Sequence, residues 1–180
     1  MISNISPVSQ YVFTTNEKFF FDANIWLFLF GPQTPKKNLV DIYSKAFSEI
    51  VKVDGQIYID VLVLSEYINR HAKLEYELAD NQSDSFKTFR DSTYFESIAK
   101  GISVAVKIIT DYCTMIDSGY DTVSITNLMD DYVNGGTDFN DQIISEICRN
   151  NGFTLVTHDG DFKSQDIPIL TANYKLLDSI

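Results

Sequence analysis

Three consecutive phenylalanines, Phe19 to Phe21, run straight into Asp22-Ala23-Asn24 and then into a second apolar stretch, Ile25 to Phe30. Such a run reads as a buried strand, and buried strands of this kind belong in the middle of a parallel sheet. Asp22 and Asn24 stand alone between the two apolar runs, and neither helps a core. A short aspartate at a strand end is well placed to hold a metal ion, because open α/β sheets collect ligands outside the C-terminal ends of their strands. Aspartate is also a good helix cap. Asp22 by itself leaves both roles open.

The rest of the chain alternates helical and extended patterns. Leu39, Ile42, Tyr43, Ala46, Ile50 and Val53 recur at three- and four-residue steps, which predicts a helix starting after Thr34-Pro35 and ending near Asp54-Gly55. Ile57 to Ile59 is a short strand, Asp60 a candidate cap, and Val61 onward a helix continuing towards Leu78. Residues 80 to 91 are polar and read as a connecting loop. A long helix follows, with Ile98, Ile102, Ala105, Ile109, Tyr112 and Ile116 on one face, ending at Ser118-Gly119. Thr122 to Ile125 is the next predicted strand, Asn127 to Tyr132 a short helix or loop, and Asn134-Gly135-Gly136 a turn. Ile143, Ile144, Ile147 and Cys148 then mark a helix that closes at Asn151-Gly152, Phe153 to Val156 a buried strand, and Ile167 to Leu170 a last one. Residues 1 to 17 lack periodicity and are expected to form a loosely ordered lead-in, leaving 18 to 180 as a single domain. The alternation predicts an α/β fold, a three-layer α/β/α sandwich around a mostly parallel sheet.

A chain of 180 residues with 44% apolar content has material for one substantial core. No apolar run is long enough for a membrane span and no basic, apolar leader opens the sequence. Cys113 and Cys148 lie among apolar neighbours and read as reduced thiols, in keeping with a cytoplasmic protein. The net charge of −11 argues against tight, nonspecific binding of nucleic acid. It does not exclude a nuclease, because carboxylates that hold a divalent cation contribute part of that charge and are neutralised when it binds.

Acidic residues recur where a ligand site is expected. Asp22 follows the first strong strand, Glu66 lies on a largely apolar helix, Asp138 and Asp141 open a later helix, and Asp159 with Asp161 follows a strand. One of Asp138 and Asp141 can cap its helix, but a second carboxylate so close is harder to explain structurally. Glu66 is equally well explained by a salt bridge to Arg70, four residues on. Several carboxylates converging on one spot repel one another unless a cation sits among them, and magnesium or manganese takes such oxygen ligands. With two histidines in the chain, a zinc site there has little support. No P-loop and no GxSxG nucleophile elbow is present.

Four segments together carry a family resemblance: Phe20-Phe21-Asp22-Ala23-Asn24-Ile25-Trp26, Leu64-Ser65-Glu66-Tyr67, Asn140-Asp141-Gln142-Ile143-Ile144, and Leu155-Val156-Thr157-His158-Asp159-Gly160-Asp161-Phe162. The chain resembles PIN-domain nucleases, the family that includes the VapC-like toxins of toxin–antitoxin pairs, over roughly residues 18 to 170. The resemblance implies an endoribonuclease using Mg2+ or Mn2+, with Asp22, Glu66, Asp141 and Asp159 as catalytic metal ligands. Asp138 and Asp161 would be close second members of the site, Asn24 would orient Asp22, and Thr157 would donate to a carboxylate or phosphate. It further implies an RNA substrate and an antitoxin or other protein partner, and it leaves room for a homodimer. Arg70, Lys73 and Lys163 are cations near these motifs in sequence; contact with substrate phosphates and plain surface solvation both account for them. Two other functions fit the same residues: a PIN-like domain acting mainly as a protein-binding module, and another metal-dependent phosphoesterase.

Overall fold

The computed structural model describes residues 4–32, 37–79, 85–117, 124–134 and 138–178. Among the described residues, six strands form one sheet: β1 (Ile5–Pro7), β2 (Lys18–Phe21), β3 (Gln56–Ile59), β4 (Cys113–Met115), β5 (Thr154–Val156) and β6 (Ile169–Thr171). Their order is β1-β6-β5-β2-β3-β4 and every pairing is parallel. The helices are α1 (Ala23–Phe30), α2 (Lys37–Lys52), α3 (Val61–Leu78), α4 (Phe86–Arg90), α5 (Thr93–Tyr112), α6 (Ile125–Asn134), α7 (Phe139–Asn151) and α8 (Tyr174–Leu177), with short 3-10 turns at Val8–Gln10 and Gly160–Ser164.

The phenylalanine run explains the centre of this arrangement. β2 lies between β5 and β3, and Phe19, Phe20 and Phe21 are all fully buried. Successive strand residues point to opposite faces. Phe21 packs on Trp26 and Phe47, from α1 and α2, with ring centroids 5.1 Å and 6.3 Å away. Phe20 stacks instead on Phe153, 6.1 Å away, which lies in turn 4.4 Å from Tyr58. Both faces of β2 therefore need large apolar residues, and the sequence has no alternation there. The chain moves from β2 outward to β3 and β4, then returns to β5 on the other side of β2. Right-handed crossovers in opposite directions put their helices on opposite faces of the sheet, which yields the three layers. The helices of the first excursion pack on one another, α1 against α2 and α3 and α3 against α5, while α6 packs against α7.

Several segments differ from the sequence expectation. Residues 1 to 17 are more than a lead-in: Ile5–Pro7 pairs with Ile169–Thr171, and Val8 is buried. The long helix ends at Tyr112, and Cys113–Met115 becomes an edge strand on β3. Ile116 continues the helical spacing by coincidence, because pairing with the open edge of β3 overrides local periodicity. The strand expected at Thr122 to Ile125 does not include Ile125, which opens α6; Thr122 and Val123 lie outside the described residues. α6 also takes in Asn127 to Tyr132. Within the polar stretch of 80 to 91, Phe86–Arg90 forms α4, capped by Ser85 and anchored by buried Phe89.

Candidate active site

In a parallel sheet all the strands end at one edge, and ligands gather where the strand order reverses. Here that point lies between β2 and β5, since the chain leaves β2 in one direction and comes back to β5 in the other. Asp22 follows β2 directly and Thr157 to Asp159 follow β5. The helix α7 runs back antiparallel into β5, so its first turn, with Asp138 and Asp141, sits at the same edge. Glu66 is in the second turn of α3, which leaves β3 at that edge too.

Asp22 precedes α1 but its side chain makes no capping bond to that helix. It turns to the neighbouring strand instead. Its Oδ2 accepts from Thr157 Oγ1 at 2.7 Å and from Asn24 Nδ2 at 2.6 Å, while its backbone N–H donates to Val156 O at 3.1 Å. Thr157 Oγ1 also accepts from the backbone of Asp159 at 3.0 Å, and Asn24 Oδ1 accepts from the backbone of His158 at 3.1 Å. Asn24 and Thr157 thus clamp the ends of β2 and β5 together around one carboxylate. The plain helix cap, open from sequence, belongs elsewhere: Asp60 caps α3 through Val63 N, and Asp138 caps α7 through Asn140 N. Asp159 accepts from the backbone of Asp161 at 3.1 Å, starting the 3-10 turn.

The charges at this edge act on one another. Asp22 is buried, and burial pushes its pKa up to about 6; Thr157's hydrogen bond opposes the rise, and Glu66 and Asp159 add to it. Asp141, half-buried, is pushed up to about 8, first by burial and then by Asp22, Asp159, Asp138 and Asp161 together. Among the described residues, no lysine or arginine pairs with Asp22, Asp141 or Asp159. Glu66 has such a partner, with Arg70 Nη1 3.2 Å away on the solvent side of α3. Asp22, Asp141 and Asp159 offer hard oxygens without a basic partner among the described residues, which suits a magnesium-like cation. The cup is not closed: among the described residues, no three acids, histidines or cysteines stand in positions that would hold one ion as they are.

Residues behind the clamp were not singled out from sequence as part of it. Tyr43, read only as one apolar position of a helix face, places its hydroxyl 2.9 Å from His158 Nδ1 and 3.3 Å from Thr157 O, and accepts from Ala172 N at 2.9 Å. Asn173 Nδ2 donates to His158 O at 2.7 Å. A tyrosine at an otherwise apolar helical position, opposite strand ends rich in polar residues, was the available signal.

No family model matches the chain, and no curated protein matches it by sequence. Solved structures do. VapBC2 from Rickettsia felis, in a crystal structure bound to a DNA fragment from their promoter, is 16% identical, with a TM-score of 0.54 covering 87% of this chain and 98% of that one. PAE2754 from Pyrobaculum aerophilum is 13% identical, with a TM-score of 0.49 over 91% of this chain and 94% of its own. The likeness to VapBC2 is one of fold, and it meets the motif resemblance from the other direction.

The fold is PIN-like.

In this PIN-like chain the four resemblance motifs lie at the C-terminal edge of the sheet or in the helices that begin there. No helix of the described residues is long and apolar enough to cross a membrane.

Proposed function

We propose that this PIN-like protein is a metal-dependent endoribonuclease, with Asp22, Asp141, Asp159 and Glu66 holding Mg2+ or Mn2+ and Asp138 and Asp161 close beside them. The observation that carries the reading is one of convergence: Asp22, Asp159, Asp138 and Asp161, from separate segments of the chain, all raise the pKa of Asp141 at the switch point of the sheet. When bound, the metal would supply an activated water and charge stabilisation at a scissile phosphate. The protein's own residues do the rest. Asn24 and Thr157 hold Asp22 in one orientation before any cation arrives, which reduces the reorganisation needed in the site. Tyr43 and Asn173 fix the backbone of Thr157 and His158, and so the direction in which Asp159 leaves β5. Arg70, beside Glu66, sets a cation at the rim where an RNA backbone would approach.

VapBC2, which shares this fold, is bound in its crystal structure to a DNA fragment from the promoter. With the VapC-like motifs of the present chain, that likeness supports a toxin role and an antitoxin partner. Incubation of the purified protein with RNA should give cleavage that needs Mg2+ or Mn2+ and stops with a chelator. Asp22→Asn should abolish it while the protein stays folded. Cleavage that persists in Asp22→Asn, or that proceeds without divalent metal, removes this site from the reaction. Release of inorganic phosphate from small phosphoesters in place of RNA cleavage would select a phosphoesterase.

A further inference from the structure

The second histidine has a setting of its own. His71, in the middle of α3, is buried, and its Nδ1 lies 3.1 Å from the hydroxyl of Tyr67. That hydroxyl donates its one hydrogen to the carbonyl of Phe30, 3.1 Å away at the end of α1. A carbonyl can only accept, so the hydroxyl is left as an acceptor towards His71, and Nδ1 carries the proton. In the neutral ring Nε2 is then a bare lone pair. It faces Glu75 Oε1 at 3.6 Å, one helical turn on. Two acceptors aimed at each other call for a positive charge between them. A histidine whose far N–H is held by a second group is also the arrangement in which imidazole serves as a metal ligand, with tautomer and ring orientation already set. The pair opens onto a cavity of about 380 Å³ bounded by Phe30, Gly31, Ser97 and Gly101, with room for coordinated water.

We propose that His71 Nε2 and the Glu75 carboxylate form a two-ligand site for a late first-row transition cation of the zinc class, with water completing the coordination. Imidazole with one carboxylate favours such ions over magnesium, so this site and the acidic edge select different metals. Positions i and i+4 put both donors on one side of α3. An ion there would hold the ring against Tyr67, and through Tyr67 would fasten α3 to the carbonyl end of α1. Those two helices carry Glu66 and Asn24.

The chain has two histidines, so their imidazole nitrogen resonances report each site separately. Zinc chloride is titrated into the full-length protein with magnesium in excess to occupy the acidic edge. The expected result is a shift of His71 Nε2 with His158 unmoved, no response of His71 to magnesium alone, and a response weakened at least roughly tenfold in both Glu75→Gln and Tyr67→Phe. Thermal unfolding of the two variants checks that they remain folded, and the wild-type titration stands without them. If zinc moves only His158, or if His71 follows pH but not zinc, the pair holds a proton and no metal. If Glu75→Gln leaves the zinc response of His71 intact, the carboxylate is not a ligand. Each of these results overturns the proposal, and none bears on RNA cleavage.

Discussion

Asp22→Asn should make the metal-free protein more stable at alkaline pH, although it removes the residue on which the proposed activity turns. Burial raises the Asp22 carboxyl from its ordinary 3.8 to about 6. A raised acid means that the folded state binds more protons than the unfolded state between those two values, so stability falls as pH rises through this window. Below about pH 4 both states are protonated and the group is neutral in the balance. Above pH 6 the full penalty applies, and a shift of roughly two units corresponds to about 3 kcal/mol. Asparagine has nearly the same volume and carries no charge. It keeps an acceptor for Thr157 and Asn24 and only weakens those two bonds, by about 1 kcal/mol in all. The net gain at pH 8 is therefore about 2 kcal/mol, or roughly 4–8 °C in Tm for a domain of this size. Thermal unfolding in a chelator at pH 5 and pH 8 measures it. The wild type should lose stability between the two, and the variant should lose less. Added magnesium should stabilise the wild type far more than the variant, because an ion bound only by the folded state shifts the equilibrium by mass action. An Asp22→Asn protein that is less stable than wild type at pH 8, or equally pH-dependent, would show that the carboxylate is satisfied in the metal-free fold and would refute this reasoning.

Other outcomes follow from the same geometry. Thr157→Val keeps the shape but strips Asp22 and the Asp159 N–H of a shared partner, so unfolding should show a loss of about 1–3 kcal/mol, larger at pH 8 than at pH 5, because the bond that restrains the rise in Asp22's pKa is gone. Arg70→Ala should change stability little, by less than about 1 kcal/mol in thermal unfolding, since the pair with Glu66 is exposed on the arginine side. Gly152→Ala should lose about 1 kcal/mol or slightly more in urea unfolding: the residue closes α7 at φ 66°, and a Cβ there meets no neighbour, so the whole effect is backbone strain.

Sequence and tertiary structure divide the protein between them along physical lines. Local patterns were enough for the central strand, for the helices α2, α3 and α7, and for the acidic residues at strand ends, because period and polarity are properties of neighbouring residues. Strand β4 was not legible in this way. Cys113–Met115 continues the spacing of the helix before it, and only the unpaired edge of β3 turns it into a strand. Nor was β1, whose three residues have no pattern of their own and are held by β6 from the far end of the chain. The same division runs through the site. The presence of Asp22, Asn24 and Thr157 could be read from their motifs, but the choice between helix cap and clamped carboxylate could not, because Asp22's partners include Thr157, brought beside it by the pairing of β2 and β5. Glu66, open between ion pair and site from sequence, pairs with Arg70 and also raises the pKa of Asp22. Residue types are local and can be read in order. Which lone pair meets which hydrogen depends on strand order, and only the folded chain decides that.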